Sequence, residues 1–153
     1  MRSFYEQRGF EIVSYYQEKN IILPSRKTKF SAGYDIATAE NIILLPQQVT
    51  LIPTGIKAYM QTDEYLGVHI RSSIAIKQKL TLINNVGVID ADYYNNVENE
   101  GHIMIPVYNY NQSSVTIEKD TRIAQGIFYR YLLASDDKAE NIRIGGIGST
   151  GKI

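Results

Sequence analysis

The sequence predicts an all-β fold, of the jelly-roll, sandwich or barrel kind, for most of a 153-residue chain. Isoleucine occurs 22 times, tyrosine 12, threonine 9 and valine 8 times, and β-branched and aromatic side chains favour a half-buried, pleated surface. Short apolar stretches are evenly spaced, and none continues with the 3.6-residue period of a long amphipathic helix. Many short strands separated by turns are typical of sandwiches and jelly rolls rather than of parallel α/β sheets.

The predicted elements are short, and turn residues separate most of them. Segments such as Pro53-Thr54-Gly55 and Asn84-Asn85 have the chemistry of tight turns. One helix is predicted at residues 73–78, where Ser72 or Ser73 can cap its first turn. The predicted strands are residues 10–15, 41–44, 49–52, 55–60, 66–71, 80–83, 86–89, 102–109, 115–118 and 123–132.

Composition excludes several classes of function. The chain has no cysteine, so a disulfide framework, a thiolate zinc site and a thiol nucleophile are all excluded. It carries 16 basic and 16 acidic side chains, a balance that argues against a broad basic face for nucleic acid. Charged residues interrupt the first apolar stretch, and no apolar run is long enough to cross a bilayer. We therefore expect a cytoplasmic protein with no membrane partner.

The last twenty residues differ from the rest. Residues 1–133 are predicted to form the β-rich domain and residues 134–153 a flexible arm, because residues 134–141 are polar and four of the eleven glycines follow Ile144. A chain of unhindered backbone N–H groups, with the hydroxyls of Ser149 and Thr150 and the nearby Arg143, suits the binding of a phosphate. Taken alone, this composition is more often that of a disordered terminus, and the phosphate-binding interpretation needs the support of other segments.

Five segments, in this order along the chain, resemble the motifs of the trimeric dUTP diphosphatases. Together they extend over residues 20–151, nearly the whole chain. The first four are Ser31-Ala32-Gly33-Tyr34-Asp35-Ile36-Ala37, Arg71-Ser72-Ser73-Ile74-Ala75, Asn84-Asn85-Val86-Gly87-Val88-Ile89-Asp90-Ala91-Asp92-Tyr93 and Asp120-Thr121-Arg122-Ile123-Ala124-Gln125, and the fifth is the glycine-rich end. The resemblance implies a distorted jelly roll that hydrolyses dUTP to dUMP and pyrophosphate.

The resemblance implies that the third segment supplies the catalytic base and most of the uracil pocket. Asp90 matches the general base that takes a proton from the attacking water, and Tyr93 matches the tyrosine that lies against deoxyribose and rejects a 2′-hydroxyl. An EF-hand reading of the acidic residues from Asp90 onward fails, because Tyr94 and Asn95 stand where an oxygen ligand and a glycine are needed. The uracil pocket implied by the resemblance comprises Asn84, Gly87, Val88 and Ile89, with Met104 at its border.

The other segments are implied to hold the phosphates. Arg71, Ser72, Ser73 and Gln125 match phosphate-binding positions, and Asp35 is assigned a supporting role. The arm closes over the nucleotide with Arg143, Ile147, Gly148, Ser149 and Thr150. The resemblance further implies Mg²⁺ held mainly by substrate phosphates and water, with no direct protein ligand. It also implies a homotrimer in which different subunits supply the hairpin, the phosphate segments and the arm.

Several departures from the family pattern keep alternatives open. Ser73 replaces the usual glycine, and Ile147 replaces a phenylalanine that stacks on uracil. Residues 94–100 form a longer loop than in most of the family, and we expect this loop on the surface. The Arg-Ser-Ser sequence fits the related dCTP deaminases, but Pro106 occupies the position of their proton-shuttling glutamate and has no proton to give. A non-catalytic nucleotide-binding or regulatory protein of the same fold is the remaining alternative.

Overall fold

The computed structural model describes residues 6–148 of the chain. Its strands, in order, are β1 (Gly9–Ile12), β2 (Tyr34–Ala37), β3 (Ile42–Leu44), β4 (Val49–Pro53), β5 (Ile56–Tyr59), β6 (Glu64–Ile70), β7 (Leu80–Leu82), β8 (Gly87–Asp90), β9 (Met104–Asn109), β10 (Val115–Ile117) and β11 (Arg122–Arg130). One helix, α1 (Ser72–Gln78), follows β6, and 3₁₀ turns lie at Ser14–Tyr16 and Ala91–Tyr93. The prediction of an all-β fold with a single short helix is confirmed.

All the strand pairs are antiparallel and form four small sheets. A four-stranded sheet has the order β2-β11-β6-β8 and a three-stranded sheet the order β4-β9-β7, while β1 pairs with β5 and β3 with β10. This arrangement is the jelly-roll-like packing of small sheets around one core. In β9 the side chains of Ile105, Val107 and Asn109 are buried and alternate with more accessible ones, as the two-residue period of a strand requires.

Isoleucine, leucine and valine fill most of the core. Asn109 is a polar residue that is fully buried. Its side-chain amide donates to the carbonyls of Leu44 and Ser113 at 3.0 Å, and its oxygen accepts from the backbone N–H of Asn111 at 2.9 Å. These bonds make the burial of the amide tolerable and connect the end of β3 and the β9–β10 loop to the end of β9.

Four expectations need correction. The strand predicted at residues 10–15 ends at Ile12, because the chain turns into a 3₁₀ helix at Ser14. Strand β2 was not predicted. Ser72 and Ser73 do not cap α1: Arg71 occupies the cap position with no capping side-chain hydrogen bond, and both serines lie in the first helical turn.

The fourth correction concerns the loop at residues 94–100, which is only partly on the surface. Val97 is exposed, but Asn96 is buried. Glu100 accepts hydrogen bonds from the buried Lys57 Nζ at 2.7 Å and from the Ser14 hydroxyl at 2.9 Å. The loop is therefore anchored to the body of the protein. No helix within residues 6–148 is long and apolar enough to span a membrane.

Candidate active site

The candidate base lies where β8 ends. Asp90 is the last residue of the strand, opposite Tyr65 of β6, and the 3₁₀ turn at Ala91–Tyr93 follows at once. The turn directs the chain away from the sheet, so the Asp90 carboxylate, whose side chain is 51% exposed, faces an open cavity instead of the core. Its position allows contact with a water molecule and a ligand at the same time.

Tyr93 is held in one position by two hydrogen bonds to its hydroxyl. The hydroxyl donates to the His102 carbonyl at 2.7 Å and accepts from Asn99 Nδ2 at 2.9 Å. Burial raises the pKa of the Tyr93 phenol above its ordinary value, although the bond from Asn99 and the nearby Arg143 oppose that shift. The ring is consequently a neutral, fixed wall of the site near neutral pH.

The arm lies against the Asp90 end of β8 in its own chain, whereas the resemblance implied that this segment and the arm come from different subunits. Arg143 donates from one nitrogen to Asp90 at 2.5 Å and from another to Asp92 at 2.8 Å, and its guanidinium lies 5.9 Å from the centre of the Tyr93 ring. Further along, the backbone N–H of Gly146 donates to the Glu98 carboxylate. Two carboxylates and one loop therefore fix the arm over the candidate base.

These contacts enclose a cavity of about 250 Å³. The cavity brings together eight of the predicted site residues, and Gly146 completes its lining: Val88, Ile89, Asp90, Tyr93, Met104, Arg143, Gly146, Ile147 and Gly148. On the other side of the Asp90–Arg143 pair lies a second cavity of about 360 Å³, bordered by Met60, Thr62 and Tyr131. A ligand in either cavity would contact both members of that ion pair.

The predicted phosphate-binding residues gather at a different place, around Asp35. The Asp35 carboxylate lies 2.9 Å from Arg122 and 3.4 Å from Arg71, and Arg71 also donates to the Arg122 carbonyl at 3.0 Å. Gln125 pairs with Asp35 across β11 and β2, and its side chain packs against Gly33, where a Cβ atom would collide with Oε1. The glycine of the first motif thus makes room for the glutamine of the fourth.

The two clusters lie at opposite ends of β6. Asp90 pairs with Tyr65 near the start of that strand, whereas Arg71 follows its last residue, Ile70. At about 3.3 Å per residue, the chain extends about 20 Å from Tyr65 to Arg71. Within one chain, most of the length of β6 therefore separates the backbone at Asp90 from the backbone at Arg71.

Some predicted residues lie outside both clusters. Asn84 and Gly87 do not line the cavity of about 250 Å³, since Asn84 is in the β7–β8 turn and Gly87 packs against Val68. Ser72 and Ser73 are exposed on α1 near Arg71. Ser149 and Thr150 lie outside the described residues.

Four residues of the two clusters had no predicted role in binding. Arg122 pairs with Asp35, Asp92 binds Arg143, Asn99 binds Tyr93, and Glu98 binds Gly146. Arg122 belongs to the fourth motif, so the sequence could have identified it as a site residue. Glu98 and Asn99 are in the longer loop, for which the family pattern gives no guide.

An all-β chain with an aspartate at the end of a strand, a separate arginine cluster and a glycine-rich arm has the features of a nucleotide hydrolase. A family model for dUTPase matches residues 19–151. The deoxyuridine 5′-triphosphate nucleotidohydrolase of Lactococcus lactis is 49% identical over 94% of this chain and 97% of its own. The chain belongs to the dUTPase family, as the motifs predicted.

Solved structures agree with that assignment. The dUTPase of Streptococcus mutans superposes with a TM-score of 0.80 at 46% identity, covering 83% of this chain and 98% of its own. The dUTPase of Staphylococcus bacteriophage 80alpha gives a TM-score of 0.73 at 24% identity, over 90% of this chain and 99% of its own. At that identity the phage protein supports the jelly-roll fold alone.

Proposed function

We propose that the protein hydrolyses dUTP to dUMP and pyrophosphate, which keeps uracil out of DNA and supplies dUMP for thymidylate synthesis. The observation that carries the proposal is the cavity of about 250 Å³ in a dUTPase-family chain, which combines the Asp90 carboxylate with the fixed Tyr93 ring and the Arg143 guanidinium. The site accordingly has a base, a wall for the sugar and a cation for phosphate. We assign the reaction to the cytoplasm, where the nucleotide pool lies.

In the proposed reaction, Asp90 takes a proton from water as the water oxygen attacks the α-phosphorus. A bond forms between that oxygen and the α-phosphorus, the bond from the α-phosphorus to the oxygen bridging it to the β-phosphorus breaks, and pyrophosphate leaves. Phosphoryl transfer requires mainly positioning and charge neutralisation from the protein. Arg143, which pairs with Asp90 at 2.5 Å, can supply this charge by exchanging the carboxylates for phosphate oxygens.

Substrate choice follows from the walls of the cavity. The Tyr93 ring cannot retreat from a ribose 2′-hydroxyl, because the Tyr93 hydroxyl is bonded on both sides. Val88, Ile89 and Met104 offer an apolar slot for the base, with Ile147 of the arm above it. We assign Asn84 and the Gly87 and Val88 backbone to the uracil edge on the strength of the family resemblance.

We propose Mg²⁺ as the cofactor, held mainly by substrate phosphates and water. Asp90 and Asp92 supply hard oxygen acceptors, 51% and 59% exposed, which suit the water shell of a magnesium ion. When bound, the ion neutralises phosphate charge. Among residues 6–148 no group of three or more histidine, aspartate or glutamate side chains is placed to hold a metal.

We propose that the active site is shared between the subunits of a homotrimer. The backbone separation of Asp90 from Arg71, about 20 Å along β6, exceeds the length of a triphosphate group, and this supports a site whose two clusters come from different copies. Exposed apolar side chains on β3 and β4 provide a surface for such contacts. They are Ile43, Val49 and Leu51.

We propose that residues 134–153 form an arm that closes the site. Arg143 and Gly146 are its anchors on the hairpin side. Removing every residue after Ile144 should leave the unfolding temperature and the oligomeric state unchanged and should lower activity. Loss of folding in the truncated chain would make the arm a structural element instead.

Pyrophosphate release from dUTP, dCTP, dTTP and UTP, each with Mg²⁺, tests the proposed function. We expect release from dUTP alone. Release from dCTP, or from none of the four, would overturn the proposal. Ammonia release from dCTP would favour the deaminase alternative, although Pro106, which lies in β9 opposite Leu51 of β4, has no side chain for that chemistry.

A further inference from the structure

The loop Tyr94–Glu100 connects the Tyr93 wall with the glycine arm, and two of its neighbouring side chains make the connection. Asn99 Nδ2 donates to the Tyr93 hydroxyl at 2.9 Å. The preceding residue, Glu98, accepts a hydrogen bond from the backbone N–H of Gly146. One short segment therefore contacts both the wall and the lid of the candidate active site.

Hydrogen bonds among its own residues hold the loop in one conformation. The buried Asn96 is its centre: its oxygen accepts from the backbone N–H groups of Glu98 and Asn99 at 3.1 Å, and its Nδ2 donates to the Tyr93 carbonyl at 2.8 Å. Asn99 Oδ1 in turn accepts from Asn96 Nδ2 at 2.7 Å and from the N–H of Gly101 at 3.1 Å. The orientation of the Asn99 amide is thus set, and its Nδ2 is directed at Tyr93.

Outer contacts fix the loop to the body of the protein. Lys57 Nζ donates to Asn95 Oδ1 at 2.6 Å and to Glu100 Oε1 at 2.7 Å. Ser14 adds a hydroxyl bond to Glu100 at 2.9 Å. Because Lys57 lies on β5 and is buried, a movement of the loop would break charged contacts with a core strand.

The fit between loop and arm is also steric. A Cβ atom placed on Gly146 would lie 2.8 Å from Asn99 Nδ2 and 3.2 Å from Glu98 Oε2. The arm approaches these side chains so closely that only a residue without a side chain fits between them. The glycine at this position is therefore used for contact with the loop as well as for chain flexibility.

We infer that Asn99 and Glu98 are positioning residues of the active site: Asn99 fixes the Tyr93 wall that selects the sugar, and Glu98 seats the arm on the cavity. The inference deepens the proposed function and rests on it. Neither residue has to touch the substrate. Their effects reach the nucleotide through Tyr93 and through the arm, respectively.

The replacement Asn99→Asp tests the first half. It keeps the acceptor for Asn96 and Gly101, replaces the donor to Tyr93 with a second carboxylate oxygen and adds one negative charge. Loss of one hydrogen bond should lower the preference for dUTP over UTP, measured as the ratio of kcat/KM values, by about 5- to 10-fold. Val97→Ala, an exposed change in the same loop, should leave that ratio unchanged.

A double-mutant cycle separates positioning from general stability. In a Tyr93→Phe background the hydroxyl is missing, so Asn99→Asp should cause no further loss of the preference. An equal loss in both backgrounds, or an unchanged ratio in the single variant, would overturn the role of Asn99. If Asn99→Asp does not fold, Asn99→Ser, judged by the same cycle, takes its place.

Hydrogen exchange tests the second half without relying on activity. Glu98→Ala should accelerate amide exchange in residues 143–148 and raise the KM for dUTP with little change in kcat, whereas Glu98→Gln, which keeps an acceptor, should restore both. Glu140→Ala, an exposed change on the arm, is the control. Unchanged exchange in Glu98→Ala would overturn the seating role. If the wild-type protein released no pyrophosphate from dUTP, the proposed function would fail while the exchange result still stood.

Discussion

The two clusters at the ends of β6 have opposite charge. At the Arg71 end, one carboxylate, Asp35, lies between two guanidinium groups, those of Arg71 and Arg122, so a net positive charge remains. At the Asp90 end, the one guanidinium of Arg143 lies between the carboxylates of Asp90 and Asp92, so a net negative charge remains. The first cluster suits phosphate binding and the second suits proton abstraction.

The difference explains how a chain with zero formal charge can bind a triphosphate. Carboxylates placed among the phosphate-binding arginines would repel the phosphates. The length of β6 separates phosphate binding at one end from proton abstraction at the other. In the proposed homotrimer, a substrate held by the positive cluster of one copy meets the negative cluster of another. Among residues 6–148, Arg143 is the cation that pairs with Asp90, and it belongs to the arm.

The largest expected effect comes from Asp90→Asn. This change removes the proton acceptor while keeping the size of the side chain, so kcat for dUTP should fall by about 10²- to 10⁴-fold with nucleotide binding retained. Pyrophosphate release and calorimetric binding of an uncleavable dUTP analogue measure the two quantities.

Asp92→Asn is the matched control. It removes the other carboxylate that binds Arg143 at 2.8 Å and leaves Asp90 in place. We expect a reduction of about two- to threefold, because the ion pair is 59% exposed on the aspartate side. Equal losses in both variants would mean that Asp90 serves only to bind Arg143.

The next largest effect is expected at the positive cluster. Arg71→Ala should lower kcat/KM for dUTP by roughly 10- to 100-fold, because a charge-assisted contact with phosphate is lost. Binding of the uncleavable analogue should weaken in parallel, unlike in Asp90→Asn.

Mixing the two variants tests whether one site draws on two chains. When Arg71→Ala and Asp90→Asn chains are unfolded, mixed and refolded together, some sites combine an intact Arg71 from one chain with an intact Asp90 from another. At equal amounts this applies to roughly a quarter of the sites of a symmetric assembly. Activity that stays at the level of the separate variants would place both residues of each site in one chain.

A smaller effect is expected for Asp35→Asn. The carboxylate that orients Arg71 and Arg122 is lost, although the net positive charge of the cluster rises. We expect kcat/KM for dUTP to fall about two- to fivefold because misplaced guanidinium groups outweigh the added charge. Asp63→Asn, which affects only an exposed 3.9 Å contact with Arg130, is the control. An increase in kcat/KM would show that charge alone governs this cluster.

How far the sequence predicts these clusters depends on the distance between their partners in the chain. Alternating apolar residues predict β9 and most other strands, and the motifs identify Asp90, Tyr93 and Met104, which line one cavity. Strand β2 was missed because its Tyr34 and Asp35 interrupt the apolar pattern, and its pairing with β11 is a long-range contact.

The loop contacts could not be predicted for a related reason. Glu98 meets Gly146 only after the arm has folded back, and no spacing along the chain encodes that meeting. The capping of α1 was predicted wrongly because Ser72 and Ser73 are good cap residues by type, whereas the extended backbone at Arg71 starts the helix one residue earlier. Local propensity was overridden there by the end of β6.

The smallest expected effect is a pH dependence confined to the Asp90 end. His102 accepts a hydrogen bond from the Gly55 N–H at Nε2, 2.9 Å away, and its own carbonyl receives the Tyr93 hydroxyl. Burial lowers the pKa of His102 below its ordinary value of 6.5, although Glu40 and Glu100 oppose the shift. Protonation would remove the Nε2 acceptor and leave the Gly55 N–H without its partner.

The sign of the effect follows from that pKa. Because the folded protein binds the His102 proton less readily than the unfolded chain, the stabilisation by neutral His102 is complete above about pH 6.5 and is lost as the pH falls through the folded-state pKa. Urea unfolding between pH 5 and pH 8 should therefore show a decline in stability below about pH 6.5 that is reduced in His102→Gln. Because the bond from Tyr93 goes to the backbone of His102, the variant should keep the preference for dUTP over UTP at pH 8. An equal decline in the wild-type protein and in His102→Gln would show that a group other than His102 causes the pH dependence.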